Sequence, residues 1–329
     1  MSRINALRDW VQTVCNLSSS ELSPASSDAS FRRYYRVAVA DGTRIVMDAP
    51  PPQEDCRPFV AVDGLLRGAG LHAPRIDAMD LDRGFLLLED LGDQTYLQAM
   101  ATQPADPLYR AALAELCRLQ AIDAADRVPA YDAVRLRQEI ELFPTWYLDR
   151  HLGRPLDDAQ AVVWRRCTAV LIEGCLAQGQ VLVHRDYHSR NLMACDSGPG
   201  ILDFQDAVLG PVTYDVVSLL RDAYVSFDEA QQIDWLVRWW ETARARGLPV
   251  PPDFGALYRD FEWMGVQRQL KVLGIFARLH HRDGKPAYLA SLPRVLDYAQ
   301  RACERYAELR PLSRLLAASH GALDQGLSF

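Results

Sequence analysis

Few folds can accommodate the run VLVHRDYHSRNLM, residues 181–193, with ILDFQD close behind it at residues 201–206. Residues 181–183, 192–193 and 201–204 read as short apolar strands, which puts His184, Asp186 and Asn191 on a loop between two strands and Asp203 at the end of a third. Phosphoryl transfer needs one carboxylate beside the attacking hydroxyl, and separate oxygen ligands that hold Mg²⁺ against the phosphates, all on short rigid loops. Asp186 is the candidate catalytic residue, and Asn191 and Asp203 are the candidate metal ligands, since Mg²⁺ prefers hard oxygen donors. Read instead as turn-forming Asp and Asn residues, they would need no such order and spacing.

The surroundings of this run predict an α+β chain of two lobes. After a first helix and the serine-rich stretch SSSELSPASSDAS, residues 34–39, Asp41-Gly42 and residues 43–47 read as a β-hairpin. Pro50-Pro51-Pro52 stops the second strand, Phe59, Val62, Leu65 and Leu66 mark a helix, and Arg83-Gly84 turns into a strand at Phe85–Leu88. From about residue 91 the period becomes helical. The expected division is a small N-terminal nucleotide-binding lobe, 1–90, of sheet plus helix, and a larger, mostly helical catalytic and acceptor-binding lobe, 91–329. Only GPVT and a few neighbours separate Asp203 from the helix beginning near Tyr214-Asp215, too little chain to dock a peptide, so the acceptor is expected to be a small molecule. Asp215 is better suited to bonding the catalytic-loop backbone than to catalysis.

Composition narrows the partners. A net charge of −7 disfavours a nucleic-acid surface, and no apolar run is long enough to span a bilayer, so neither nucleic acid, membrane nor an obligate protein partner is expected. Seven scattered cysteines without a CxxC pair, and an N-terminus lacking the pattern of a signal peptide, read as a reduced cytoplasmic protein. Lysine occurs only at Lys271 and Lys285. The strand segment Ile45-Val46-Met47-Asp48 therefore carries no lysine that could meet a nucleotide's phosphates. A guanidinium can do the same electrostatic work, which makes Arg32, Arg33, Arg36 or Arg44 candidates, with Ser27 and Ser30 as hydrogen-bond donors.

Given these motifs, the chain resembles the aminoglycoside phosphotransferase and choline kinase superfamily over nearly its whole length. The longer blocks SSDASFRRYYR, IVMDAPPPQEDCRPF, FLLLEDLGDQTY, LDFQDAVLGPVTYDVVSLLRDAY and MGVQRQLKVLGIFARLHHRDGKPAYL are similar to the anomeric N-acetylmuramate/N-acetylglucosamine kinases of bacterial cell-wall recycling. The resemblance implies a bilobal protein-kinase-like fold, ATP and Mg²⁺ as cofactors, and phosphorylation of the sugar's C1 hydroxyl to an α-1-phosphate. An aminoglycoside, choline or another small alcohol is the alternative acceptor within the same fold. A pseudokinase that binds nucleotide without catalysis is the alternative from another class.

Adenine is expected on the link between the lobes, where Glu89, Asp90 and Leu91 present backbone groups to the base edge. For the sugar, a late helix from Leu257 to about His280 carries Arg268 on its apolar stripe. An arginine there needs an anionic partner, either Glu262, another acid, or a substrate carboxylate such as the lactyl group of N-acetylmuramate. Trp146, Tyr147, Trp239, Trp240 and Trp263 are candidates for a wall against a pyranose ring, although aromatics at helical spacing are usually core. His188, two residues from Asp186, is a candidate for the acceptor pocket.

Overall fold

Asp41-Gly42 closes the hairpin that organises the first part of the protein. In the computed structural model, which describes residues 2–17, 22–27 and 31–317, Gly42 takes φ of +133°, a conformation side chains disfavour. The chain begins with α1 (Arg3–Thr13), then β1 (Ser23–Ser27), β2 (Arg33–Val39), β3 (Gly42–Asp48), α2 (Arg57–Gly68), β4 (Ile76–Asp80) and β5 (Phe85–Glu89). The five strands form one antiparallel sheet in the order β1-β2-β3-β5-β4. Two of these strands, β1 in the serine-rich stretch and β4, carry too little apolar alternation to be read from the sequence; pairing with β2 and β5 supplies what propensity does not. Helix α1 places Leu7, Trp10 and Val11 against Val37, Val46, Phe85 and Leu87. Each such side chain contributes about 1.5–3 kcal/mol on burial.

The chain continues through α3 (Tyr96–Ala99), α4 (Ala105–Gln120), α5 (Ala133–Ile140), a π-helical segment at Phe143–His151, and α6 (Asp158–Leu176). Next come four short strands, β6 (Gln180–Val183), β7 (Leu192–Cys195), β8 (Gly198–Ile201) and β9 (Val208–Pro211). They are followed by α7 (Tyr214–Leu220), α8 (Glu229–Ala245), α9 (Phe254–His281) and α10 (Leu292–Arg305). Strand β6 pairs with β9 and β7 with β8. The third strand expected near the motif ends at Ile201, so that residues 202–204 form a loop.

Two compact units result: Met1–Leu108 with Arg190–Ala207, and Tyr109–Ser189 with Val208–Phe329. The first extends past the boundary expected at residue 90 and takes in the β7–β8 hairpin, for a physical reason. The Ala194 N–H donates to Gln94 O at 2.8 Å, Ile201 N–H donates to His72 O at 2.8 Å, and the Phe204 ring lies 4.6 Å from Phe59. In the second unit α9 is buried over the whole stretch from Phe261 to Gly274. Gly274 lets the turn before the π-helical segment come close, because a Cβ there would lie 2.6 Å from Leu142 O.

Candidate active site

In the second unit the catalytic loop leaves β6, whose Val181, Leu182 and Val183 are buried and register against β9. Its first two peptide N–H groups are fixed from below by Asp215 at the start of α7: His184 N donates to Oδ2 at 2.6 Å and Arg185 N to Oδ1 at 3.0 Å. The role expected for Asp215 is therefore the one it has. Burial raises its carboxyl to about 7, against the two donated hydrogen bonds that pull it down. Arg185 adopts φ of +79°, a left-handed conformation that costs a non-glycine residue roughly 1–2 kcal/mol. Asp215 holds its backbone in that state, and Glu139 of α5 holds its guanidinium by an ion pair.

Glu139 is the centre of a buried charge cluster that sequence reading missed. It accepts Arg185 and the Tyr131 hydroxyl, and Lys271 of α9 lies 3.3 Å from its Oε1 and 2.9 Å from the Tyr214 hydroxyl. Against burial, which would raise it, Lys271 and Arg185 keep Glu139 below its ordinary range. The next residue is Asp186, half-buried, whose N–H donates to His184 Nδ1 at 3.2 Å. Burial alone would raise its carboxyl too, yet Lys271, His188, Arg185 and Arg268 together hold it lower than usual. Asp186 is thus an anion at neutral pH, set among cations.

The end of the loop is tied by a second aspartate. Asp222 Oδ2 accepts the Ser189 N–H at 3.0 Å and its hydroxyl at 2.5 Å, while Oδ1 accepts Tyr224 N–H at 2.8 Å. Tyr224 then stands edge-on to His188 at 5.5 Å, with Phe276 at 6.0 Å from Tyr224 and Tyr288 at 5.0 Å from Phe276. An aromatic row thus continues from the expected pocket residue His188. Of the other aromatic candidates, Tyr147, Trp239 and Trp263 are core, with Trp263 beneath Arg259 at 4.0 Å, while Trp146 and Trp240 are half-buried. Glu262 is fully buried and its Oε1 accepts Arg221 at 2.9 Å and Arg305 at 2.6 Å; it forms its ion pairs with these two and not with Arg268.

In the first unit, Asn191 and Asp203 do come together. Asn191 Nδ2 lies 3.3 Å from Asp203 Oδ2, and Gln205 Nε2 donates to Oδ1 at 2.8 Å. Asp203 takes φ of +61°, the kind of strained backbone that collects at functional sites. One carboxylate and one amide oxygen fit Mg²⁺, which takes few protein ligands and fills its shell from phosphates and water. Of the four candidate arginines, Arg32 alone is placed beside Asp203, its Nη1 4.0 Å from Oδ1, with Nε 3.5 Å from Glu54 Oε2. Arg36 is bound to Asp90, Arg44 to Asp77 and Asp41, and Arg33 is exposed on β2. Ser30 lies outside the described residues, and Ser27 is described only by its backbone, opposite Arg33 in the sheet. Along the link after β5, Glu89 N–H already donates to Arg75 O at 2.8 Å, the Asp90 carboxylate takes Arg36 and Thr43, and Leu91 O accepts the Cys195 thiol.

The phosphotransferase enzyme family matches residues 21–250. A protein of Pseudomonas aeruginosa called N-acetylmuramate/N-acetylglucosamine kinase is 54% identical over 91% of this chain and 88% of its own length. Another of that name, from Neisseria meningitidis serogroup B, is 44% identical over the full length of both. Among solved structures, a choline/ethanolamine kinase family protein of Mesorhizobium loti superposes with a TM-score of 0.64 at 15% identity, covering 97% of this chain and 99% of that one. That likeness fixes the fold as the protein-kinase-like one.

Proposed function

We propose that this chain, which belongs to the phosphotransferase enzyme family, uses ATP to phosphorylate the anomeric hydroxyl of N-acetylmuramate and N-acetylglucosamine. The observation that carries the reaction is Asp186, an anionic carboxylate fixed on a doubly clamped loop beside an aromatic row. The relatives' names carry the acceptor.

In this reading Asp186 accepts the C1 hydroxyl proton as the oxygen attacks the γ-phosphorus in line, giving a sugar α-1-phosphate and ADP. The anomeric hydroxyl is more acidic than an ordinary alcohol because the ring oxygen withdraws charge, so a carboxylate with a low proton affinity suffices. Asn191 and Asp203 would hold Mg²⁺, which when bound supplies charge neutralisation at the β and γ phosphates. Arg32, paired with Glu54, takes the place of the absent lysine toward the phosphates, with Ser27 and Ser30 of the serine-rich stretch as further donors. In the link at Glu89, Asp90 and Leu91, backbone groups other than the Glu89 N–H and the Leu91 carbonyl, which are already bonded, face adenine in this reading. His188, with Tyr224 and Phe276, offers apolar ring faces to the pyranose. The place of action is the cytoplasm, where ATP is available and the seven cysteines stay as the free thiols they are here, in the recycling of cell-wall sugars. Buried Arg268 disfavours the cationic acceptors, choline and aminoglycosides.

The test is ATP consumption with N-acetylmuramate, N-acetylglucosamine, choline and kanamycin, followed by phosphorus NMR of the product. A phosphate coupled to the anomeric proton of an amino sugar is the expected result. Turnover of choline or kanamycin in place of the sugars would overturn the acceptor, and intact ATP binding without any turnover would overturn the kinase mechanism.

A further inference from the structure

We propose that Arg268 reads the acceptor's carboxylate, so that it serves the lactyl-bearing sugar N-acetylmuramate and not its neutral counterpart N-acetylglucosamine. The inference rests on the amino-sugar acceptor proposed above and adds the residue that separates the two sugars.

Arg268 is only 4% exposed, and among the described residues its Nε and Nη1 are buried without a hydrogen-bond acceptor. A guanidinium carries five donors that cannot be switched off by losing a proton, so leaving those of Nε and Nη1 unmet in the interior is one of the costlier arrangements a fold can keep. The neighbouring arginines differ in having a carboxylate each, although Arg221 and Arg185 also keep a buried Nε without an acceptor. Arg221 and Arg305 divide Glu262 between them, and Arg185 has Glu139. The partner that the helical stripe suggested for Arg268 is engaged through Oε1 by Arg221 and Arg305, and its Oε2, itself buried without a hydrogen bond, makes no ion pair with Arg268.

Its position is that of a residue facing the reaction. Arg268 precedes Lys271 by three residues on α9, and so lies on the same helical face, which Lys271 turns toward Glu139 and Tyr214. Its charge acts on Asp186 and on Asp215, favouring the ionised form of both. Phe276, two turns further along α9, belongs to the aromatic row with Tyr224 and His188. A sugar whose C1 hydroxyl meets Asp186 therefore lies beside α9, with a cation at hand that has a planar fork of donors to offer. A carboxylate matches that fork with two parallel hydrogen bonds, which neither a hydroxyl nor an acetamido oxygen does. The two sugars differ by the lactyl ether on one ring hydroxyl, whose carboxylate is the only ionised group of either.

Arg268→Met and Arg268→Lys, each checked by thermal melting, are compared with wild type on both sugars. Expected for Arg268→Met is a roughly 10- to 100-fold fall in kcat/KM for N-acetylmuramate, carried by KM, with N-acetylglucosamine changed less than about threefold. Arg268→Lys should recover part of the loss. Should Arg268→Met not fold, the methyl ester of N-acetylmuramate given to the wild-type enzyme removes the charge from the other side and should show the same selective loss. Equal losses on both sugars, borne by kcat, would overturn the proposal in favour of a role at the phosphoryl group. An ester used as well as the acid would overturn it outright. A wild-type enzyme inert on both sugars would overturn the acceptor itself, a failure distinct from either.

Discussion

Replacing Lys271 by methionine asks whether the buried charge cluster behind the catalytic loop acts on chemistry or only on packing. Lys271 is 7% exposed and Glu139 is 8% exposed, 3.3 Å apart. Removing one member of a buried pair typically costs about 3–5 kcal/mol, because the charge left behind stays desolvated. Here Glu139 keeps Arg185 and the Tyr131 hydroxyl, so the lower end, about 3 kcal/mol, is expected. In a unit of this size that corresponds to a fall in Tm of roughly 6–12 °C. The catalytic consequence is separate. With Lys271 gone, burial of Asp186 is opposed only by His188, Arg185 and Arg268, so its carboxyl rises. The base must be ionised to accept a proton, and the acid limb of the kcat profile therefore moves to higher pH, while the KM for ATP stays within about threefold. The assay is steady-state ATP turnover from pH 3 to 8.5, a range that reaches below the ordinary aspartate value of 3.8, beside a melting curve. A loss of Tm with an unmoved acid limb would refute the electrostatic argument and leave Lys271 a packing residue; an unmoved acid limb and unmoved Tm would refute both parts.

Asp186→Asn should lower kcat by about 10²–10⁴ with nucleotide binding kept, whereas Asp203→Ala should also weaken Mg-dependent nucleotide binding; isothermal titration with ATP and Mg²⁺ separates them. Arg32→Met should raise the KM for ATP by about tenfold or more, since a charge-assisted contact is lost, and Arg33→Met and Arg44→Met should not. Asp63 of α2 is 5% exposed, has a buried Oδ1 without a hydrogen bond, and is raised by burial from 3.8 to about 6. Below 3.8 the group is neutral in both states; as pH climbs to 6 only the unfolded chain ionises, so stability is lost across that window and stays lost above it. Asp63→Asn should therefore gain up to about 3 kcal/mol at pH 8 and nothing at pH 3, read by urea denaturation at the two pH values.

What could be read from the sequence was whatever chemistry is contiguous. His184, Asp186 and Asn191 lie within eight residues of one another, and a loop of that length between two apolar strands has little freedom, so spacing alone suggests the roles proposed for them. The hairpin at Asp41-Gly42 and the period of α9 are legible for the same reason. The clamps are not. Glu139 and Lys271 meet across 132 positions of sequence, Arg32 and Glu54 across 22, and Ser189 and Asp222 across 33. Each is an ordinary surface-type residue until the fold removes it from water, and no local pattern distinguishes the one arginine beside Asp203 from its three neighbours.

Arg268 shows where the limit falls. Helical periodicity established that it sits on an apolar face, which is a statement about direction, and from direction alone an ion pair with Glu262 or another acid was favoured over a ligand. Deciding between them required knowing that Glu262 already receives two other guanidinium groups, one from α10 and one from the end of α7. Competition for a shared partner is a property of tertiary structure, because it depends on which elements converge. That is why the residues proposed to face the acceptor were harder to read than those proposed for catalysis, and why a buried cation without a carboxylate of its own motivates a proposal about what binds.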